Sequence, residues 1–170
     1  SGRRANVLLT IDIGNTNIVL GVYDGKRLLN HWRLLTHPER TADEYGVLVS
    51  HLASGQGISR EKIDAIVVSC VVPPMIQMIQ ELAQRFYGLN PLILGPGVKT
   101  GMPVLYENPK DVGTDRIVNG VAAYEKYRDC CVVVDFGTAT TFDAVDFNGA
   151  YKGGIIAPGI NLSLDALVGN

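Results

Sequence analysis

Two short polar segments stand out because the same residue types recur in both, in the same order. They are Asp12-Ile-Gly-Asn-Thr-Asn17 and Asp135-Phe-Gly-Thr-Ala-Thr140. Each follows an apolar, β-branched run, Val7–Ile11 or Cys131–Val134, of the kind that forms a buried strand. Glycine allows a positive φ or a close backbone approach, and short polar side chains hydrogen-bond locally. The repetition predicts two related half-domains that face a shared polyanion.

The residue types in these segments suit a polyphosphate. Successive backbone amides in a tight turn form a concave site for an anion, and hydroxyls such as those of Thr16 and Thr138 add donors. Asp12 and Asp135 would repel phosphate, so we expect each to hold a cation, or its water shell, against the phosphates. Mg²⁺ fits this role because it keeps several waters and takes few carboxylates.

A simpler interpretation stays open, in which each Asp-x-Gly only ends a strand. The recurrence with similar flanking strands favours the phosphate-binding interpretation. The chain has no Gly-x4-Gly-Lys-Ser/Thr sequence, and Gly95-Pro-Gly97 lacks the spacing of a dinucleotide-binding turn. A P-loop or Rossmann nucleotide site is therefore not expected.

A third candidate lies in Gly113-Thr-Asp-Arg116, at the predicted start of a helix. Asp115 and Asn119 are four residues apart and share a helix face. In a purely structural interpretation, Thr114 is the N-cap and Asp115 favours the helix dipole. In a functional one, Asp115 is a carboxylate base for a substrate hydroxyl and Arg116 anchors the negative end of that substrate.

Composition narrows the protein class. The chain has 170 residues, 46% of them hydrophobic, and a net charge of −2, which indicates a globular protein and gives no basic surface for nucleic acid. No apolar stretch is long enough to span a bilayer. Its 3 cysteines and 3 histidines show no metal-ligand spacing, and the odd cysteine count predicts a reduced, cytoplasmic protein.

Periodicity predicts the elements that must position these residues. The predicted order is βββαβαβ, a loop over residues 95–112, then α and βββα, so three strands follow each Asp-x-Gly segment. Thr41-Ala-Asp-Glu44 is a capping box that opens the first helix. The remaining helices are expected over Met75–Phe86, with an end near Gly88, from Thr114, and over Ile160–Leu167, where the apolar pattern is Ile160, Leu164 and Leu167. Asp24-Gly25 and Asn148-Gly149 are predicted turns between strands. Predicted strands are Val7–Ile13, Asn17–Tyr23, Leu28–Leu35, Ile63–Val72, Pro91–Leu94, Val132–Asp135, Thr141–Asp146 and Ala150–Ile156.

These motifs, in this order, resemble those of type III pantothenate kinases. Besides the segments above, the resemblance rests on Glu44-Tyr-Gly46, Ser69-Cys-Val-Val-Pro-Pro74, Tyr106-Glu-Asn-Pro109, Gly113-Thr-Asp-Arg-Ile-Val-Asn119 and Gly153-Gly-Ile-Ile-Ala-Pro-Gly159. That family belongs to the acetate/sugar kinase, Hsp70 and actin superfamily. The resemblance implies an α/β fold of duplicated ribonuclease H-like (actin-like ATPase) domains, with mixed sheets and flanking helices.

The resemblance also implies a role for each candidate residue. Asp115 would be the proton acceptor, and Asp135 would bind a monovalent cation, K⁺ or NH₄⁺. The expected substrate-binding residues are Tyr106, Gly113, Thr114, Asp115 and Arg116. The expected ATP-binding residues are Asp12, Ile13, Gly14, Asn15, Thr16, Asn17, Ile18, Val19 and Thr138.

As a whole, the resemblance implies ATP-dependent phosphorylation of pantothenate, with Mg²⁺, by a cytoplasmic homodimer, as the first step of coenzyme A biosynthesis. The expected domains are residues 5–118 and residues 119–170, the second incomplete, since family members continue beyond residue 170. Activity of this chain alone is therefore not expected. Two alternatives stay open: another small-molecule kinase of the superfamily, or a non-catalytic nucleotide-binding regulatory protein.

Overall fold

The computed structural model describes residues 7–95 and 99–169. The chain forms two compact units, one that ends at Leu94 and one that begins at Gly95. The expected domain limits at residues 5 and 170 lie outside the described residues. The expected boundary between residues 118 and 119 falls within a helix of the second unit, Thr114–Tyr127. That boundary stays a prediction for the complete protein.

A five-stranded mixed sheet forms the centre of the first unit, in the order β3-β2-β1-β4-β5. The first three strands make an antiparallel meander, and β4 and β5 extend it in parallel on the other side of β1. The strands are β1 (Val7–Ile13), β2 (Asn17–Asp24), β3 (Arg27–Leu35), β4 (Ile63–Cys70) and β5 (Leu92–Leu94).

Alternation along the central strands explains their place in the sheet. Leu9, Ile11 and Ile13 of β1 are buried, as are Leu20 and Val22 of β2, and they form one continuous core with side chains from the helices. The Asp24-Gly25 signal between β2 and β3 is confirmed, because Gly25 has a φ of +58°.

Two helices contribute to that core. Helix α1 (Ala42–Ser54) begins with the predicted capping box: Thr41 Oγ1 accepts from the Glu44 amide, and the Glu44 carboxylate accepts from the Thr41 amide. Helix α2 (Met75–Leu82) continues as one π-helical turn over Ala83–Tyr87 and ends at Gly88, whose φ is +64°. The predicted end at Gly88 is thus confirmed, whereas the π turn has no local sequence signal.

The second unit repeats the antiparallel meander of the first. Strands β6 (Cys131–Phe136), β7 (Ala139–Val145) and β8 (Tyr151–Pro158) form a three-stranded sheet in that order. Helix α3 (Thr114–Tyr127) precedes it and helix α4 (Ile160–Val168) follows. The predicted repeat is therefore confirmed as a three-stranded meander, but each Asp-x-Gly segment ends the first of its three strands, so two strands and not three follow it.

The segment before α3 is more ordered than its composition predicted. The Tyr151 amide donates to Pro103 O and the Leu105 amide donates to Tyr151 O, each at 2.8 Å, so residues 103–105 run alongside the start of β8. A short 3₁₀ helix follows at Pro109–Asp111. This pairing has no local sequence signal, because the partner strand lies far along the chain.

Large apolar side chains of the second unit are exposed. Ile160, Leu164 and Leu167, the predicted core-facing stripe of α4, are 54%, 52% and 78% exposed. Phe136 of β6 and Ile155 of β8 are also exposed. The second sheet is therefore only partly covered by the described residues. Within the described ranges, no helix combines the length and the apolar character needed to cross a membrane.

Candidate active site

The turn between β1 and β2 carries the first Asp-x-Gly segment. The Gly14 amide donates to Asn17 O at 2.9 Å, and Thr36 binds the turn twice, through Oγ1 to Gly14 O at 2.7 Å and through its amide to Thr16 O at 2.9 Å. The Val71 amide donates to Ile13 O at 3.0 Å. The turn's carbonyl oxygens are thus occupied by protein donors, which suits a surface that binds an anion.

Gly14 has no positive φ, so conformational freedom is not the reason for a glycine there. A Cβ at Gly14 would lie 3.3 Å from Asn17 O, so the turn closes tightly over this residue. Close backbone approach, the second of the two reasons predicted for glycine, is the one that the structure supports.

Asp12 ends β1 with an exposed side chain, directly opposite Ser69 in the parallel pairing with β4. Burial, and secondarily the negative charge of Asp12, raise the pKa of the neighbouring Cys70 thiol. The Ser69 hydroxyl is buried without a hydrogen-bond partner. Sequence reasoning did not single out Ser69, although a serine at the end of an otherwise apolar strand was the available signal.

The turn between β6 and β7 is a tighter version of the first. Ile13 pairs with Ile18 across the first turn, whereas Phe136 pairs with Thr140 across the second, which is one residue shorter. Thr138 lies at its exposed tip. The Gly137 amide donates to Ala139 O at 3.0 Å, a bond like that of Gly14. The two segments are therefore similar in design and different in size.

Asp135 lies at the end of β6 and faces helix α3. Asn119 Nδ2 of that helix donates to Asp135 Oδ2 at 3.2 Å. Asp115 lies one helical turn before Asn119 on the same helix face. The structure thus links Asp135 to α3 one helical turn from Asp115, within a single unit.

Asp115 occupies the second position of α3, where the helix dipole favours a negative charge. The N-cap is Gly113, not Thr114 as the sequence suggested, and Thr114 is the first helical residue. A side chain at Gly113 would collide with Asp115 Oδ1, so the carboxylate lies back over this glycine. The Thr114 hydroxyl is buried and has no hydrogen-bond partner.

Arg116 is held by a buried carboxylate that the sequence analysis missed. Its Nε donates to Asp143 Oδ1 at 2.8 Å, and its Nη2 approaches the same oxygen at 2.6 Å as an ion pair. Tyr151 Oη also donates to this oxygen, at 2.6 Å. Asp143 and Tyr151 are each 1% exposed. Burial alone would lower the pKa of Arg116, but the bond to Asp143 and its charge outweigh this and raise it.

Tyr106 lies beside this cluster. The pairing of residues 103–105 with Tyr151 brings its ring over Gly153, where an added Cβ would be 3.1 Å from Cδ2 of the ring. Gly153 has a φ of +120°, a conformation that side-chain-bearing residues rarely adopt. The second unit therefore gathers Tyr106, Asp115 and Arg116, three of the predicted substrate-binding residues, around the N-terminus of α3.

A signal for Asp143 was present in the sequence. Thr141, Asp143 and Val145 alternate on one side of β7, and Val145 is buried, so a carboxylate between them faces the interior. A buried carboxylate requires a cationic partner or hydrogen-bond donors. The partner's identity was not accessible, because Arg116 lies 27 residues earlier in the chain.

The carboxylates of Asp12 and Asp135 could each bind a cation that takes most of its ligands from water or substrate. Among residues 7–95 and 99–169, no group of three or more His, Cys, Asp or Glu side chains is arranged to hold a metal ion. Asp12, an exposed carboxylate beside the β1–β2 turn, fits Mg²⁺, which binds through one or two carboxylates plus phosphates. Asp135, exposed and bonded through one oxygen, has a second oxygen available to a cation.

The chain matches one protein family over almost its entire length. A family model described as type III pantothenate kinase matches residues 8–170. A protein of that name from Myxococcus xanthus is 56% identical over 164 residues, which cover 96% of this chain and 64% of that protein. The type III pantothenate kinase of Geobacter sulfurreducens is 54% identical over 161 residues, which cover 95% of this chain and 63% of the Geobacter protein. The chain thus spans less than two thirds of the length of these relatives.

Solved structures share the fold at low sequence identity. Component A of (R)-2-hydroxyglutaryl-CoA dehydratase from Acidaminococcus fermentans aligns with a TM-score of 0.55 at 12% identity, over 90% of this chain and 48% of that one. The Ppx/GppA phosphatase of Aquifex aeolicus aligns with a TM-score of 0.54 at 18% identity. The alignment covers 95% of this chain and 55% of the phosphatase chain. These likenesses confirm the predicted ribonuclease H-like, actin-like ATPase fold, and they carry no information on substrate.

Proposed function

Because this chain belongs to the type III pantothenate kinase family, we propose that the full-length protein phosphorylates pantothenate to 4′-phosphopantothenate with ATP, the first step of coenzyme A biosynthesis. The observation that carries the proposal is the grouping of Asp115, Arg116 and Tyr106 at the start of α3, with Asp135 one helical turn away through Asn119. No feature of the described residues favours the alternative kinase or the regulatory protein.

In this proposal the two Asp-x-Gly turns bind ATP. The segment from Asp12 to Val19 cradles the phosphates with its backbone amides, and its carbonyl oxygens are already occupied by Thr36 and Val71. Thr138 contributes a hydroxyl from the β6–β7 turn. Asp12 would hold Mg²⁺, which neutralises the phosphate oxygens when bound.

Pantothenate would bind in the second unit. Its carboxylate would pair with Arg116, which stays charged at every physiological pH and presents a planar donor surface. The ring of Tyr106 and the backbone of Gly113 and Thr114 would line the remainder of the pocket. In this proposed binding mode the primary hydroxyl of pantothenate would lie next to Asp115.

Asp115 would accept the proton of that hydroxyl as the phosphoryl group transfers. An alkyl hydroxyl is a weak nucleophile at neutral pH, and a positioned base contributes about 10²–10⁴-fold. Positioning and charge stabilisation supply most of the remaining acceleration of phosphoryl transfer. Asp135 would hold K⁺ or NH₄⁺, whose charge acts on the bound ATP. From the family alone, we also propose a cytoplasmic homodimer.

The base assignment is tested by Asp115→Asn in the full-length protein. We expect turnover to fall by about 10²-fold or more, while nucleotide affinity, measured by isothermal titration, stays near the wild-type value. Asp129→Asn is the matched control, an exposed carboxylate just beyond the end of α3. Wild-type turnover in Asp115→Asn would refute this assignment. A screen of sugars and organic acids with an ATP-consumption assay separates pantothenate from other acceptors.

A further inference from the structure

We propose that Asp143 and Tyr151 position Arg116 for the substrate, so that the orientation of the guanidinium, and not only its charge, sets the affinity for the anionic acceptor. The inference rests on the proposed function, since the anionic group in question is the carboxylate of the acceptor. It adds two positioning residues, from β7 and β8, to the segment at the start of α3.

The geometry fixes the guanidinium from one side. Asp143 Oδ1 accepts from Arg116 Nε at 2.8 Å, pairs with Nη2 at 2.6 Å and accepts from Tyr151 Oη at 2.6 Å. The hydrogen bond from Nε and the ion pair of Nη2 with the same oxygen together define which edge of the planar guanidinium faces Asp143. Tyr151 in turn fixes the carboxylate, because its ring is buried and its hydroxyl ends on the same oxygen.

The backbone of β8 approaches the cluster closely at Gly154. A Cβ at Gly154 would lie 2.5 Å from Arg116 Nη2 and 2.6 Å from Asp143 Oδ1. The absence of a side chain at this position is therefore what admits the ion pair between α3 and the sheet. The Arg116 side chain is 13% exposed, against 1% for Asp143, so the arginine is the member of the ion pair that solvent or a ligand can reach.

The arrangement assigns the arginine's donors to separate partners. Asp143 accepts from Nε, whereas Nη2, although ion-paired with the same oxygen, is buried without a hydrogen-bond partner, so the guanidinium keeps donors for an incoming carboxylate. Arg116 also follows Asp115 directly, so a rotation of the guanidinium would move the acceptor relative to the proposed base. A carboxylate that holds such an arginine acts on substrate binding through it and does not touch the substrate itself.

The kinetic test uses Asp143→Asn in the full-length protein, with Asp129→Asn as the control. We expect KM for pantothenate to rise at least about tenfold, with KM for ATP unchanged and kcat reduced less than KM is raised. Arg116→Lys already removes the planar guanidinium. In that background, Asp143→Asn should raise KM for pantothenate by less than about a further threefold. The proposal would be overturned if Asp143→Asn raised KM for ATP as much as KM for pantothenate. It would also be overturned if the effects of Asp143→Asn and Arg116→Lys on KM for pantothenate were independent.

A second measurement reads the position of Arg116 without substrate. In the full-length protein labelled with ¹⁵N-arginine, the Arg116 Nε–H should give a resolved, slowly exchanging NMR signal that is lost in Asp143→Asn and weakened in Tyr151→Phe. Tyr151→Phe removes a single hydroxyl and serves where Asp143→Asn fails to fold. An unchanged signal in these variants contradicts the proposal. If wild type does not phosphorylate pantothenate, the proposed function fails, and the NMR signal alone decides the positioning role.

Discussion

Replacing Tyr151 by phenylalanine removes one buried hydroxyl and should destabilise the protein measurably. The lost bond joins Tyr151 Oη to a carboxylate oxygen at 2.6 Å, and both side chains are 1% exposed. A hydrogen bond to a charged group contributes about 1.5–3 kcal/mol to the free energy of unfolding. With a urea dependence of about 2 kcal/mol/M, the unfolding midpoint should fall by roughly 1 M.

Tyr124→Phe is the matched control for this measurement. Tyr124 also belongs to the second unit and donates its hydroxyl to a backbone oxygen, Phe147 O, at 3.2 Å, but this bond is exposed. Its loss should change the free energy of unfolding by less than about 0.5 kcal/mol. Equal midpoints for Tyr151→Phe and Tyr124→Phe in urea titrations followed by circular dichroism would refute the reasoning.

The difference in free energy of unfolding between wild type and Tyr151→Phe should also depend on pH. Burial, followed by the bond to Asp143 and its charge, raises the pKa of Tyr151 above the ordinary tyrosine value of 10.0. A raised pKa in the folded state adds stability that is fully present below pH 10.0 and is lost as the pH rises toward the folded pKa. Wild type should therefore lose stability above about pH 10 more steeply than Tyr151→Phe does. Parallel stability curves for the two proteins would contradict this assignment.

Three further predictions concern the sheet, the cation site and the first helix. Gly154→Ala should lower the free energy of unfolding by about 1–3 kcal/mol in urea titrations, because its Cβ would meet Phe142 O as well as the ion pair, whereas Gly95→Ala, which meets nothing within 4 Å, should change it little; equal effects would contradict the close approach. Asp135→Asn should raise the K⁺ concentration for half-maximal activity about tenfold, and an unchanged K⁺ dependence would exclude Asp135 as the ligand. Thr41→Ala should lower the free energy of unfolding by about 1 kcal/mol, because the capping bond to the Glu44 amide is lost; an unchanged urea midpoint would show that the cap is not stabilising.

Local signals in the sequence were sufficient for most of the fold. Strand β1 has the predicted bounds, Val7–Ile13, because alternation and the following glycine both mark its end. Gly149, in the predicted Asn148-Gly149 turn, has the positive φ of +78° that such a turn needs. The order of elements and the repeated meander followed from the same kind of evidence.

The features that the sequence did not predict depend on contacts between distant residues. Residues 103–105 pair with Tyr151 and so position Tyr106. The sequence of this short, irregular segment has no periodic pattern that would predict the pairing. The role of Asp143 is similar: alternation places it in the interior, but only the folded chain shows that Arg116 is its partner. The sequence therefore identified the candidate reacting groups more readily than the residues that orient them.

The central claim is tested most directly by the product that the full-length protein makes from pantothenate and ATP. Reactions with MgATP, with and without K⁺, are followed by ³¹P NMR, with Asp115→Asn as the negative control. The account predicts a phosphomonoester signal of 4′-phosphopantothenate that depends on pantothenate, grows with K⁺ and is absent in Asp115→Asn over the same time. ATP hydrolysis without a phosphorylated product, or equal product from wild type and Asp115→Asn, would contradict it.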